Sequence, residues 1–151
     1  MDYEQIIAGF RSLSARDFDL QDINARGYER LAELTEALKK ADAAEKAVPE
    51  LFGLMERLPD VNLGSPGPLV HTLERLPGYE NELILSVRRR PSLLSIWMVN
   101  RALNTDLPKD TRRSCLELLH KVANDTNVPL AVRRDARRFV EFQMKKSLTD
   151  D

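Results

Sequence analysis

This chain of 151 residues contains a single cysteine, a single tryptophan and only 6% aromatic residues. Cys115 has no partner within the chain, so no internal disulfide bond holds the fold. No apolar run approaches the roughly 20 residues that span a bilayer. Acidic residues occupy the N-terminal positions where a secretory signal peptide carries basic ones. We therefore expect a cytoplasmic protein that does not enter membranes.

Motifs that carry catalytic or cofactor chemistry are also missing. His71 and His120 belong to separate predicted helices, and neither has the spacing of a zinc ligand. Phosphate-binding and nucleophile motifs of the GxxxxGK(S/T), GxGxxG and GxSxG kinds do not occur. Cys115 occupies an apolar helical position, which favours a small buried hydrophobe over a nucleophile. We therefore expect that the protein is not an enzyme and has no catalytic residue, cofactor or metal site.

Charge is abundant and unevenly distributed. Residues 1–83 carry 9 Lys and Arg against 16 Asp and Glu, a net charge of −7, whereas residues 84–151 carry 14 against 8, a net charge of +6. The split predicts either two electrostatically distinct surfaces or two halves that attract each other in the fold. A solvated surface with uneven charge is the alternative.

Apolar residues recur with helical periodicity along nearly the whole chain, and no alternating run bounded by hairpin turns predicts a strand. The sequence therefore predicts an all-α fold of about eight short helices. A missing N–H costs nothing in a first helical turn, so prolines are suited to opening helices. Five of the predicted helices open at a proline: Pro49, Pro68, Pro91, Pro108 and Pro129.

A weak internal repeat points to how the helices pair. The segment LPKDTRRSCLELL at 107–119 matches VPLAVRRDARRFV at 128–140, proline on proline and arginine pair on arginine pair. This pattern is typical of HEAT-like repeats, in which antiparallel helix pairs stack over one continuous core. The spacing is irregular elsewhere, so an irregular helical bundle is the alternative. Either architecture predicts one all-helical domain over residues 1–151.

The segment from Leu93 to Val99 is apolar on every side, which predicts a central, buried helix. Trp97 lies within it, and we expect this side chain to be mostly buried. Three arginines, Arg88 to Arg90, precede it and are predicted to end the previous helix, where cations suit the C-terminal dipole.

Two charged clusters are candidate interaction sites. Acidic residues gather in the N-terminal half: Asp17, Asp19, Asp22, Glu29, Glu33 and Glu36. The three glutamates share one face of a predicted helix. Arginines gather in the C-terminal half, where they could track a phosphate backbone: Arg112, Arg113, Arg133, Arg134, Arg137 and Arg138. The acidic cluster indicates a surface for a basic partner. Few aromatics accompany the arginines, so nucleic acid is the less favoured partner.

The middle third of the chain resembles the small all-helical immunity proteins of bacterial polymorphic-toxin and contact-dependent growth-inhibition systems. The resemblance rests on the run Ser65-Pro66-Gly67-Pro68-Leu69-Val70-His71, on a Tyr79-led helix ending near an Arg-Pro, and on Trp97-Met98-Val99-Asn100-Arg101. The flanking segments resemble generic HEAT-like helices only.

This resemblance implies a stoichiometric inhibitor that binds the toxic domain of a cognate effector and occludes its active site. Many such toxins are nucleases with basic clefts, which an acidic surface would fit. A second candidate surface combines the loop at 64–68 with Glu74, Glu80 and Arg101. The competing hypothesis is a HEAT-like nucleic-acid-binding protein that uses the C-terminal arginines.

Overall fold

The computed structural model describes residues 1–149, and within that range the chain is all-helical, with eight α-helices and no strand. The two final residues, Asp150 and Asp151, lie outside the described range. The helices are α1 Tyr3–Ser12, α2 Gly27–Lys39, α3 Val48–Arg57, α4 Pro68–Glu74, α5 Tyr79–Arg89, α6 Leu93–Leu103, α7 Lys109–Ala123 and α8 Leu130–Thr149. The predicted all-α fold is confirmed. None of these helices is both long enough and apolar enough to cross a membrane.

Proline lies at or next to the start of four of the five helices for which it was predicted, and the fifth prediction is wrong. Pro68 is the first residue of α4, whereas Pro108 and Pro129 come directly before α7 and α8. The prediction that Pro91 opens the sixth helix is wrong, because α6 begins two residues later at Leu93. Ser92 is its N-cap and forms a capping box with Ser95. The Ser92 hydroxyl accepts the backbone N–H of Ser95, and the Ser95 hydroxyl accepts that of Ser92.

The helices stack in chain order. α1 packs against α2 and α3, α2 against α4, α3 against α5, α5 against α6, and α6 against α7 and α8. Their buried apolar side chains form one continuous cluster. The accessible surface is 9159 Å², about 18% above the roughly 7,800 Å² expected of a compact monomer of this mass. The excess area indicates an extended stack rather than a sphere.

The last two helices, α7 and α8, form the antiparallel-type pair that the internal repeat predicts. Cys115 and Ala136, which occupy equivalent positions in the repeat, are both buried in the core. The first arginine of each repeat donates to the preceding loop: Arg112 to the carbonyls of Leu103 and Thr105, and Arg133 to that of Val128. The repeat therefore encodes a staple between each helix and the chain that leads into it.

The central helix α6 is buried as expected over most of its surface, with Leu93 and Trp97 partly exposed. Leu94, Ile96 and Val99 lie in the core, whereas the Trp97 side chain is partly exposed. Its ring borders a small cavity between the loop at 62–65 and Asp135 of α8. Trp97 is thus mostly buried, as expected, with a minor part of its side chain in solvent.

Candidate interaction surfaces

The acidic residues Asp19 and Asp22 build two successive turns in the loop between α1 and α2. The Asp22 N–H donates to the carbonyl of Asp19, and the Ala25 N–H to that of Asp22, each at 3.1 Å. The carboxylate at the start of each turn also accepts the backbone N–H two residues on, from Gln21 and Asn24, at 2.9 Å. These Asx turns fix the backbone of an exposed loop.

Each of the two turns presents one apolar side chain to solvent. Leu20 follows Asp19 and is 85% exposed, and Ile23 follows Asp22 and is 91% exposed. Solvation of a whole leucine and isoleucine is unfavourable, so a fold-stabilising role does not account for them. Sequence reasoning assigned this loop its acids but missed these two residues. Their signal was present, since both are large apolar residues in an acidic stretch without helical periodicity.

Asp17 belongs to the local structure rather than to the free surface. Its carboxylate accepts the backbone N–H of Ser14 at 2.8 Å, in the capping box of the 3-10 turn Ala15–Phe18. Gly27 at the start of α2 lies so close to this turn that an added Cβ would sit 2.5 Å from the Asp17 carbonyl oxygen. The turn therefore anchors the loop at one end and α2 at the other.

The three glutamates of α2 share an exposed face, as the spacing predicts, but each has a cation beside it. Glu29 pairs with Arg26 at 3.1 Å, Glu33 with Arg30 at 3.4 Å, and Glu36 with Lys39 at 3.3 Å. All six side chains are solvent-exposed, and such pairs contribute little to stability. The face thus carries alternating charge. Its carboxylates remain accessible to a partner whose own cations displace these three.

The second group of candidates, Glu74, Glu80 and Arg101, lies on the rim of one groove. This groove has a volume of about 650 Å³ and runs between α5, α6 and α7. Its walls are mostly apolar: Leu83, Ile84, Met98, Val99, Ala102, Leu107 and Cys115. The structure therefore brings these three charged residues together, although they come from three different helices. Apolar walls with a few polar groups at the rim are typical of ligand and peptide sites.

Electrostatic contacts order the groove rim. Arg101 donates its Nε to Glu74 at 3.2 Å. Burial raises the pKa of Tyr79, and the carboxylates of Glu80 and Glu74 raise it further against the opposing effect of Arg101. Burial likewise raises the pKa of the Cys115 thiol, with Arg112 opposing. Tyr79 and Cys115 are therefore uncharged hydrogen-bond donors at neutral pH. The charged groups of this groove lie at its rim.

The loop at 64–68 has a structural explanation of its own. Gly64 has a φ of 97°, which favours glycine, and a Cβ on Gly67 would lie 3.1 Å from the Gly64 carbonyl oxygen, a tighter contact than is usual. The Tyr28 hydroxyl donates to the Asn62 carbonyl at 2.5 Å and ties the start of α2 to this segment. The loop does not line the groove of Glu74, Glu80 and Arg101. The second candidate surface is thus divided in two.

The C-terminal arginine clusters serve the fold more than the surface. Besides Arg112 and Arg133, Arg137 donates to the Ala123 carbonyl at 3.2 Å and Arg138 pairs with Asp135 at 2.8 Å. Of the six arginines, only Arg113 and Arg134 have neither a hydrogen bond to a backbone carbonyl nor an ion pair among the described residues. A phosphate backbone would meet only two fully available guanidinium groups there, which weakens the nucleic-acid hypothesis.

Within residues 1–149, no group of three or more His, Cys, Asp or Glu residues lies together in a way that could hold a metal ion. Two surfaces instead combine exposure with shape: the loop at 19–26 beside the α2 glutamates, and the apolar groove. Both place apolar side chains beside charged ones, an arrangement suited to contacts with another molecule. No protein-family model matches this chain, and neither a curated protein nor a solved structure is significantly similar to it.

Proposed function

We propose that this protein is a non-catalytic immunity protein that acts in the bacterial cytoplasm by binding one cognate toxin domain, a nuclease being the favoured activity, and occluding its active site. The observation that carries the proposal is the loop at 19–26, which holds Leu20 and Ile23 in solvent, each directly after an aspartate, Asp19 or Asp22. The resemblance of the middle third of the chain to immunity proteins supports the same function.

The loop has the anatomy of a protein-binding hot spot. Apolar anchors at the centre of an interface supply most of the binding free energy, and a polar rim selects the partner. Here Leu20 and Ile23 are the anchors, and the flanking carboxylates supply the rim. Because the two Asx turns fix the backbone before binding, little conformational entropy remains to be lost on association.

Charge complementarity favours a basic partner for this surface. Asp19 and Asp22 form no ion pair in the described part of the chain. The neighbouring glutamates of α2 would exchange intramolecular pairs for intermolecular ones. A nuclease cleft presents lysines and arginines to nucleic acid, so an acidic surface with apolar anchors is suited to covering it.

The test is co-expression of this protein with the toxin domain encoded by the adjacent gene, followed by calorimetry with the purified pair. We expect restored growth and a 1:1 complex. The double variant Leu20→Ser/Ile23→Ser should lose at least tenfold in affinity, since each anchor contributes more than 1 kcal/mol at a hot spot. Leu148→Ser, an exposed leucine on α8, is the matched control and should bind normally.

A charge-reversal series separates the acidic face from the apolar anchors. Glu29→Lys, Glu33→Lys and Glu36→Lys together should weaken binding and reverse its dependence on salt, because screening acts on exposed charges. Unchanged affinity and unchanged salt dependence would remove the α2 face from the interface. Failure of the protein to protect against the toxin at all would refute the immunity function itself.

The competing proposal, nucleic-acid binding through the C-terminal arginines, makes a different prediction. Binding would be strongest at low salt and would fall steeply as salt is added. Arg113→Gln with Arg134→Gln should abolish it, since these two guanidinium groups are the available ones. Absence of DNA and RNA binding at low salt excludes this function.

A further inference from the structure

A cleft of about 390 Å³ on another side of the molecule concentrates positive charge. It lies between the end of α5, the end of α7 and the loop from α7 to α8. Arg88, Arg89, Arg90 and Lys121 line it, against the single carboxylate of Asp125. The proposed toxin interface does not involve this cleft.

The cations of the cleft differ in how far they are already neutralised. Glu56 accepts from Arg89 through both carboxylate oxygens, at 3.2 and 3.1 Å, so Arg89 is committed within the fold. Arg88, Arg90 and Lys121 form no ion pair among the described residues. With Asp125 counted against these three, the cleft retains an excess of two positive charges at neutral pH.

The helix ends around the cleft contribute fields of both signs. Pro129 on its lip directly precedes α8, a helix of 20 residues without an acidic residue in its first turn, so its positive dipole end is not neutralised locally. The C-terminal ends of α5 and α7 oppose this field. The three unpaired cations carry more charge than the two helix C-termini, of about half a negative charge each, can offset.

We propose that this cleft is a binding site for a small molecule that carries a phosphate group. Arginine guanidinium groups bind phosphate oxygens through two parallel N–H donors, and a lysine ammonium adds a point charge. Arg88 and Arg90 flank the fixed Arg89 at the end of α5, and Lys121 approaches from α7, so a phosphate between the two helices would be contacted from both walls.

The geometry favours a small ligand over a nucleic-acid strand. The free cations converge on one concavity instead of following a line along the surface. The arginines farther along the chain, Arg112, Arg133 and Arg137, are held by backbone carbonyls. A cavity of this volume lies within the range of small-molecule sites. A bound strand would need further contacts to successive phosphates.

The experiment is titration of the full chain with inorganic phosphate, pyrophosphate and AMP at constant ionic strength, followed by backbone amide NMR and thermal unfolding. We expect saturable shifts confined to residues 88–91 and 121–129, and a rise in Tm with ligand concentration. Arg88→Gln and Arg90→Gln should each weaken binding about tenfold, as loss of a charge-assisted hydrogen bond predicts. Arg113→Gln, an exposed arginine of α7 outside the cleft, is the control and should bind like the original chain.

Three outcomes would overturn the proposal. The first is shifts that do not saturate or that all variants share. The second is a loss of Tm in Arg88→Gln or Arg90→Gln that is equal with and without phosphate, which would assign these cations to the helix ends alone. The third is much tighter binding of a 5′-phosphorylated oligonucleotide, with shifts extending to Arg113 and Arg134. Each result is independent of toxin binding, so it leaves the immunity function to its own test.

Discussion

The guanidinium carbon of Arg101 lies over the indole ring of Trp97, 5.5 Å from the ring centroid. The two residues are four apart on α6 and therefore share a face of the helix. Arg101 also reaches Glu74 at the end of α4. The structure gives the two residues one shared role: a partly exposed ring supports the arginine that closes the rim of the groove.

Replacement of Trp97 tests this arrangement. Trp97→Ala should lower the free energy of unfolding by about 2–3 kcal/mol, less than the 3–5 kcal/mol usual for a fully buried aromatic, because part of the ring faces solvent. Trp97→Phe retains a ring beneath Arg101 and should cost less than half as much. Urea denaturation measures both. A loss above about 4 kcal/mol for Trp97→Ala would show that the ring is buried in solution.

The two adjacent arginines of α7 should behave very differently. Arg112 donates to the carbonyls of Leu103 and Thr105 at 2.7 and 2.8 Å, whereas Arg113 is exposed and has no side-chain hydrogen bond or ion pair among the described residues. Arg112→Met should cost about 1–2 kcal/mol in unfolding free energy, since two carbonyls lose a charged donor.

Arg113→Met is the matched control and should stay within about 0.5 kcal/mol of the original chain, as exposed substitutions usually do. Chemical denaturation of the two variants side by side makes the comparison. Equal losses would mean that the Arg112 staple contributes nothing, and that charge alone sets the effect.

Helix positions were the predictable part of this fold, for identifiable reasons. The predicted helix that begins at Tyr79 and ends at the arginines before Pro91 matches α5, because apolar periodicity and the cations at its end agree. The start of α6 was missed by two residues, since the reciprocal Ser92–Ser95 cap decides it and the nearby proline does not. Local sequence signals therefore placed the helices to within a turn.

The interaction surfaces were predictable only in part. Helical spacing placed Glu29, Glu33 and Glu36 on one face, and the same spacing puts a cation three residues from each of them, a pairing that the sequence analysis left out. Glu74, Glu80 and Arg101 share a groove because α4, α5 and α6 converge there, which is a tertiary relationship. The exposure of Leu20 and Ile23 likewise depends on the absence of a covering helix.

Tyr79 should make stability depend on alkaline pH. Burial and the two nearby glutamates raise the pKa of its phenol in the folded state. The folded chain therefore holds this proton more tightly than the unfolded chain, whose tyrosine pKa is about 10. The resulting stabilisation is fully present below about pH 10 and is lost as the pH rises through the folded-state pKa.

Tyr79→Phe removes this dependence. The difference in unfolding free energy between the original chain and Tyr79→Phe should be constant from pH 7 to 9 and should then shift against the original chain above about pH 10. Guanidinium denaturation at four pH values measures it. Parallel curves across the whole range would show that the Tyr79 phenol has the same pKa in both states.

Gln143 joins α8 to the middle of the stack through a buried amide. Its Nε2 donates to Oδ1 of Asn100 on α6 at 2.8 Å and to Oδ1 of Asn104, the residue after α6, at 3.0 Å, and the side chain is 5% exposed. Gln143→Ala should cost about 1–3 kcal/mol, because it opens a cavity and removes the donor to Asn100 and Asn104, of which only Asn104 keeps a second donor, Lys146 at 3.4 Å. Gln21→Ala, an exposed glutamine in the loop before α2, is the control and should change stability by less than about 0.5 kcal/mol.

Since the main contacts of α8 are with α6 and α7, the loss in Gln143→Ala should also appear as faster amide hydrogen exchange confined to α8 and the helices it touches. Uniform acceleration along α1 to α4 as well would mean that the chain unfolds as one cooperative unit, and that the amide does not act locally.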